Sequence, residues 1–290
     1  MSDKRICVIT GGGSGMGLAT AELMGKDHYV IICGRTVGKL EDAIAGLRKK
    51  GVDCEAYPCD VSDKESVKAL ARHADELGTI DAVIHAAGVS PHMGNGELIL
   101  KINAIGTMYV NEIFSDYMGE GSCIVDVSSM AGNMMPDLAP MHLFYRLALK
   151  DKDAFVKAAV KMISAMPAKL QPGTAYSISK NFDNWYANHS ALELGNKGIR
   201  VVSVSPGDFE TPMGELEKAD AQNFIPNAAI KRFGKPEEIA TLLADIVKPE
   251  CGYLTGTQIL CDGGVIASMK MDPIYNLKVT LKSSIGVLKS

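Results

Sequence analysis

Seven short apolar runs recur along the chain: ICVIT at 6–10, YVIIC at 29–33, CEAYP at 54–58, DAVIH at 81–85, CIVDV at 123–127, RVVSV at 200–204 and TQILC at 257–261. Each has the length of a strand, and most read as continuous apolar runs, as strands buried on both faces do. Between most of them the apolar period lengthens to that of a helix. Over 63–77, Val67, Leu70, Ala71, Ala74 and Leu77 share one face, and 236–247 opens on Pro236-Glu237-Glu238 before Ile239, Leu242, Leu243 and Ile246. Proline in a first turn removes an amide that a helix leaves unpaired, and acids there face the positive end of the helix dipole, so a helix starts at Pro236. Strands alternating with helices predict an α/β fold: one doubly wound domain with a seven-stranded parallel sheet covered on both faces.

One interval breaks this rhythm. About 45 residues separate CIVDVSS from a helix predicted to start near Thr174, where an ordinary connection is a few residues long, and they hold six of the fifteen methionines. Within the interval, 153–166 places Phe155, Ala159, Met162, Ile163 and Met166 on one helical stripe. The expectation is a helical insertion over about 130–173, packed on the body, whose adaptable methionines are candidates for a substrate pocket or a partner contact. No repeat, low-complexity tract or linker divides the chain, so 1–270 reads as one domain and 271–290 as a C-terminal extension.

Composition narrows the functions available. With 290 residues, 47% of them hydrophobic, the chain has the material for a core and is not of the disordered class. Thirty basic residues face 34 acidic ones, a net charge of −4, which leaves no cationic excess for a row of phosphates and argues against nucleic acid as a partner. The seven cysteines are odd in number and several lie inside strand runs, so free thiols in a reducing compartment are expected. Cys54 and Cys59 have no second Cys or His pair at zinc-site spacing, so no metal site is expected. No apolar segment follows MSDKR as a signal peptide requires, and no run approaches the roughly 18 apolar residues of a membrane span, so the expected location is the cytoplasm.

After the first strand comes Thr10-Gly11-Gly12-Gly13-Ser14-Gly15-Met16-Gly17, then helical Leu18 to Gly25. Glycines at a strand-to-helix junction let backbone amides approach a pyrophosphate at the positive end of a helix. The spacing of Gly11, Gly15 and Gly17 is G-x-x-x-G-x-G rather than the commonest dinucleotide fingerprint. At the end of the second strand, where an acid would bind ribose hydroxyls, stand Cys33-Gly34-Arg35-Thr36. Arg35 offers a planar, permanently charged fork for a 2′-phosphate, so NADP(H) is preferred, with NAD(H) as the other candidate; a solvated surface arginine is the plain alternative. Asp60, after the third strand, is placed to meet the adenine amino group.

Tyr176-Ser177-Ile178-Ser179-Lys180 puts a phenol and an ammonium four residues apart on one helix face. A nearby cation favours phenolate, which would let Tyr176 exchange a proton with a carbonyl or an alcohol. Together with Thr10-Gly11-x-x-x-Gly15-x-Gly17, Asp60-Val61, His85-Ala86-Ala87-Gly88, Lys101-Ile102-Asn103, Ser128-Ser129, Ser205-Pro206-Gly207 with Thr211, Arg232 to Glu238 and Cys261-Asp262-Gly263-Gly264, this ordered set resembles the short-chain dehydrogenase/reductase family over residues 5 to about 268. The resemblance implies a catalytic tetrad: Tyr176 as general acid and base, Lys180 lowering its pKa and holding the nicotinamide ribose, Ser129 on the substrate oxygen, and Asn103 anchoring a relay water. For Asn103 the alternative is a helix-internal group satisfying backbone. It also implies cofactor contacts from Gly11, Gly13, Ser14, Gly15, Met16, Gly17, Arg35, Asp60, Val61, Ala87, Gly88, Asn103, Tyr176, Lys180, Pro206, Gly207 and Thr211. The segment from about 208 to 230 corresponds to the substrate lid, with Phe209, Met213, Leu216, Phe224 and Ile225 as its apolar inner face.

Two departures stand out. His85-Ala86 replaces the asparagines usual before Ala-Gly, and His85 is read as structural. Ser129 and Tyr176 lie 47 positions apart, far more than the family usually leaves, and the excess falls beside the helix many members use for dimer packing. An insertion here, with Ala175 to Asn181, Glu210-Thr211-Pro212-Met213 and Asp262-Gly263-Gly264-Val265, resembles the bacterial 3α-hydroxysteroid dehydrogenase/carbonyl reductase branch. That likeness implies a hydroxysteroid, bile acid or other bulky apolar ketone or alcohol as substrate, and a homo-oligomer with an altered interface. The competing readings are a reductase of a small carbonyl compound (sugar, polyol or acyl ketone) and a non-catalytic NADP(H)-sensing protein; the intact tetrad argues against the sensor.

Overall fold

The computed structural model describes residues 4–135 and 138–271. Its strands are β1 (Arg5–Thr10), β2 (Tyr29–Gly34), β3 (Cys54–Pro58), β4 (Thr79–His85), β5 (Met118–Val127), β6 (Arg200–Pro206) and β7 (Thr257–Cys261), each containing the apolar run that predicted it. They form one seven-stranded, all-parallel sheet in the order β3-β2-β1-β4-β5-β6-β7. The chain winds outward from β1 to β3 and returns to β4 on the other side of β1. β1 and β4 stay paired to their carboxyl ends at Thr10 and His85, and the connections that leave them part at this reversal, where ligands of such sheets bind.

The helices are α1 (Gly15–Met24), α2 (Val37–Lys49), α3 (Lys64–Leu77), α4 (Gly96–Ile99), α5 (Gly106–Phe114), α6 (Ala139–Lys150), α7 (Lys152–Ile163), α8 (Gln171–Leu194), α9 (Pro212–Ala221), α10 (Pro236–Ile246) and α11 (Val265–Met271). Strand alternation sorts the core into two layers. Ile6 and Val8 of β1 face Leu70 of α3, Phe114 of α5 and Phe182 of α8, while Cys7 and Ile9 face Ala21 of α1, Leu47 of α2 and Leu243 of α10. The predicted helix at Pro236 starts there, and Glu238 accepts a hydrogen bond from the Lys235 amide at 2.7 Å, closing its first turn.

The helix expected near Thr174 starts three residues earlier, at Gln171, because Pro172 fits a first turn. The insertion comprises a 3₁₀ turn at Met130–Met134 followed by α6 and α7. The stripe predicted over 153–166 holds only in part: Phe155, Ala159 and Ile163 are buried, whereas Met162 and Met166 are 48% and 38% exposed. An aromatic seam does the packing. Phe155 and Tyr145 lie 5.1 and 5.3 Å, centroid to centroid, from Phe182 of α8, and Trp185 lies 5.6 Å from Tyr145. All seven cysteines are free. Among the described residues no helix is long and apolar enough to cross a membrane. Apart from Met271, the C-terminal extension lies outside the described residues.

Candidate active site

The glycine loop follows β1 at the reversal. Gly11 has φ +69°, and a Cβ there would stand 2.8 Å from the Ala86–Ala87 backbone; a Cβ on Gly17 would stand 2.6 Å from the Gly11 carbonyl oxygen. Only glycine allows the loop to fold onto the amino end of α1, whose unpaired amides and dipole favour an anion. A cleft of about 320 Å³ opens there. Gly11, Ser14, Gly15, Met16, Gly17, Arg35, Asp60, Val61, Ala87, Gly88 and Thr211 all line it. Gly13 does not line it and instead faces Leu40, 3.4 Å from where its Cβ would be. Thr36 and Lys39 line it as well. Lys39, in the first turn of α2, is a second cation on the cleft beside Arg35, which precedes the helix. The cradle and its cations suit a phosphate-bearing dinucleotide. One Asp60 carboxylate oxygen is held by the Ser62 amide and hydroxyl, at 2.9 and 2.7 Å.

A second cavity of about 860 Å³ adjoins the cleft, with Met16 and Thr211 lining both. Ser129 and Tyr176 line it, as do Pro206 and Gly207 at the end of β6. The Ser129 hydroxyl donates a hydrogen bond to the Tyr176 oxygen and accepts one from the Ala131 amide at 3.1 Å. Ser128 is differently engaged, donating to the Lys180 carbonyl at 2.7 Å, which leaves Ser129 as the serine available to substrate. Gly132 makes the arrangement possible, since a Cβ there would lie 2.6 Å from the Lys180 carbonyl carbon and lever the turn off α8.

Behind this surface the polar groups are buried. Lys180 Nζ donates to the Val127 carbonyl at 2.9 Å and to Asp183 at 3.0 Å. Asn103 sits in a π-helical stretch, Leu100–Ile105, between α4 and α5. Its amide accepts from Val89 N at 2.9 Å and donates to Val89 O and Ser179 Oγ at 3.0 and 3.2 Å. The side chain thus ties the segment after β4 to α8. His85 hydrogen-bonds Thr10 at 2.8 Å, and burial together with the Lys180 charge lowers its pKa to about 3, so it is neutral and structural.

The electrostatics around Tyr176 differ from the sequence expectation. Burial, then the Glu217 carboxylate, push the phenol well above the usual tyrosine range, and the ammonium expected to counter them is paired with Asp183. Asp126 on β5 is pushed up to about 8 by burial, while its one hydrogen bond, from Asn111 at 2.8 Å, works against that rise. Its proton thus stays on in the folded chain up to about pH 8 but leaves near 3.8 when unfolded, so between those values stability falls with rising pH by up to about 1.4 kcal/mol per unit. Asp126→Asn has no such slope. Its stability advantage over wild type should widen from pH 4 to pH 8 in urea unfolding, and a constant gap would contradict this protonation state.

The segment expected as a lid folds as α9 with the turns on either side of it, and puts Phe209, Met213 and Phe224 on the cavity; Leu216 lines the nucleotide cleft instead, and Ile225 lines neither. From the insertion, Met130, Met134 and Met135 reach the cavity. The wall also carries Asp208, Glu217 and Asp220, with His92 3.2 Å from Asp220. Burial, then the charges of Asp220 and Asp262, raise Asp208 to about 6, and burial, then the charge of Asp208, raises Glu217 to about 7. The wall acids are scattered over 208–220 at no recognisable spacing, and no pattern in the chain announces that they share a wall. Among the described residues no group of His, Cys, Asp and Glu is placed to hold a metal ion.

Residues 5–141 match the family described as short chain dehydrogenase, and 152–266 match that described as enoyl-(acyl carrier protein) reductase. A short-chain dehydrogenase/reductase of Alternaria brassicicola is 28% identical, covering 94% of this chain and 99% of its own. A 3-oxoacyl-[acyl-carrier-protein] reductase of Thermotoga maritima is 26% identical, covering 91% and 98%. Among solved structures, a short chain dehydrogenase from Burkholderia cenocepacia in complex with NADP superposes with TM-score 0.71 at 24% identity, over 89% of this chain and 96% of that one.

Proposed function

We propose that the chain is a member of the short-chain dehydrogenase/reductase family, as the matches over 5–141 and 152–266 support, and that it is an NADP(H)-dependent oxidoreductase interconverting a ketone and a secondary alcohol, with a bulky neutral substrate of hydroxysteroid type. The observation that carries the reading is the hydrogen-bonded pair of Ser129 and Tyr176 on a cavity that meets a glycine-cradled, cationic cleft. Gly11, Ser14, Gly15 and Gly17 would hold the pyrophosphate, Arg35 and Lys39 the adenosine end, and Pro206, Gly207 and Thr211 the nicotinamide end. A bound reduced nicotinamide supplies the hydride. The Ser129 and Tyr176 hydroxyls then meet the charge developing on the substrate oxygen, and Tyr176 gives it a proton. The cavity walls fix the carbonyl against them.

A cavity of about 860 Å³ with methionine and phenylalanine walls suits a fused-ring skeleton better than a sugar. The acids Asp208 and Glu217 disfavour a substrate carboxylate, which sets a neutral steroid above a bile acid. The competing substrate is an acyl ketone, favoured by the name of the Thermotoga maritima relative. The chain is read as a cytoplasmic homo-oligomer whose interface avoids the part of α8 covered by α6 and α7.

The test is steady-state NADPH oxidation, with NADH in parallel, against neutral ketosteroids, matched keto bile acids, 3-oxoacyl thioesters and small ketones at pH 6 and pH 8. Turnover of neutral ketosteroids is the expected result. Because Asp208 and Glu217 lose charge between pH 8 and pH 6, KM for a keto acid should fall relative to its methyl ester as the pH is lowered. Turnover confined to thioesters or small ketones would move the substrate reading there, and silence across the panel despite NADPH binding would overturn the enzyme reading.

A further inference from the structure

The helix that carries Tyr176 and Lys180 carries a third ionisable side chain one turn further in. Asp183 Oδ2 lies 3.0 Å from Lys180 Nζ, with the two side chains 1% and 6% exposed. The other oxygen, Oδ1, is buried and has no hydrogen-bond partner among the described residues. An aspartate in this position is costly, because desolvating two charges is repaid only by close pairing. Its counter-charge is an ammonium that the proposed chemistry needs four residues from the phenol.

Groups from every neighbouring element face this pair. His85 comes from β4 and is neutral. Asp126 comes from β5 and feels both Asp183 and Lys180. From α5, Thr107 lies near Asp183 but donates its hydroxyl proton to the Asn103 carbonyl at 2.6 Å, and Asn111 donates to Asp126. From the segment after β6 and from α9, Asp208 and Glu217 act on Tyr176, as Asp183 itself does. Among the described residues, the cation facing the phenol from within this network is Lys180, and it is drawn inward onto Asp183 and the Val127 carbonyl. Of the other titratable groups named, His85 is neutral and Asp126 keeps its proton up to about pH 8, while Asp183, Asp208 and Glu217 are acids that raise the phenol.

We propose that Asp183 is a positioning residue that holds the Lys180 ammonium and offsets its charge, so that Tyr176 meets the substrate as a proton-donating phenol and the site is built for carbonyl reduction. The proposal rests on the oxidoreductase reading for its direction. In that direction the hydride of a reduced nicotinamide forms the new C–H bond, the carbonyl π pair moves to oxygen, and the Tyr176 proton goes to that oxygen, leaving a phenolate. The reverse reaction needs the phenolate at the start, which an offset lysine supplies poorly. A signal for Asp183 was present in the chain, since Lys-x-x-Asp within a helix puts both side chains on one face.

The test reads Tyr176 in the resting protein, without cofactor or substrate. Protein labelled with [13Cζ]tyrosine is titrated by NMR from pH 6 to pH 11, and the Tyr176 resonance is assigned by its absence in Tyr176→Phe. In wild type the midpoint should lie above the ~10 of free tyrosine. In Asp183→Asn, and independently in Asp183→Ala, it should fall by about one unit or more, because the ammonium is then unopposed. A folded variant that keeps the wild-type midpoint overturns the proposal. If neither variant folds, a wild-type midpoint below ~9 overturns it alone. A purely structural aspartate would lower the melting temperature and leave the midpoint where it was. Since no turnover is involved, a chain that reduces no ketone would refute the oxidoreductase reading while this titration still decides the charge offset.

Discussion

Tyr176→Phe should lower kcat for ketone reduction by about a thousandfold or more while leaving NADPH affinity within a few-fold of wild type. The substitution removes one oxygen from a ring that packs against the core beside Ala175 and Ile178. The fold should therefore survive, and the loss can be assigned to chemistry. Two effects combine in it: the proton no longer has a donor at the substrate oxygen, and one of the two hydroxyls meeting the developing charge is gone. Ser129→Ala removes only the second of these and should cost less, on the order of a hundredfold. Steady-state kinetics, with NADPH fluorescence titration for affinity, would measure both. A Tyr176→Phe enzyme retaining more than about a tenth of wild-type kcat would remove Tyr176 from proton transfer, whatever its position in the cavity.

The layout of the fold could be read from the chain because period and composition specify it locally. A strand buried on both faces must be apolar at nearly every position, so ICVIT and CIVDV announce themselves, and a right-handed crossover between parallel strands leaves few topologies. Ser129, Tyr176 and the glycine loop were legible for a related reason: their chemistry requires particular residue types at fixed spacing. Less legible was anything set by the approach of distant segments. Met162 continues the periodicity of α7, yet it is half exposed while the aromatic seam of Tyr145, Phe155 and Phe182 fills the contact with α8, and Met166 lies beyond the end of the helix at Ile163. Asp208 and Glu217 share a wall only because α9 folds back over the end of β6. The surroundings of Tyr176 are of the same kind. The sequence supplied the lysine four residues away, but burial, Glu217 and the pairing of that lysine with Asp183 are facts of packing. Asn103 shows the converse: its position was foreseen, and its side chain turns out to clamp Val89.

Arg35→Ala should weaken NADPH binding by about tenfold to a hundredfold and leave NADH binding nearly unchanged, shifting the ratio of the two affinities by the same factor. The two cofactors differ only in the 2′-phosphate. A charge-assisted hydrogen bond to it contributes about 1.5–3 kcal/mol, and each 1.4 kcal/mol is tenfold in affinity. Arg35 is exposed at the rim of the cleft, so solvent screening places the effect towards the lower end, and raising the salt concentration should shrink it. Lys39 lines the same cleft one helical turn away, and it retains part of the phosphate binding when Arg35 is lost. Arg35→Ala with Lys39→Ala should therefore lose more than either change alone, and its residual NADPH affinity should approach that for NADH. Isothermal titration of both cofactors at two salt concentrations would read all of these quantities. Equal losses of NADPH and NADH would mean that Arg35 acts on the part the cofactors share, and tighter NADH than NADPH binding in wild type would refute the NADP(H) preference. The absence of any acid in Cys33-Gly34-Arg35-Thr36 at the end of β2 argues for the opposite result, because an NAD(H) site would need a carboxylate there for the ribose hydroxyls, and this loop offers only cationic and neutral groups.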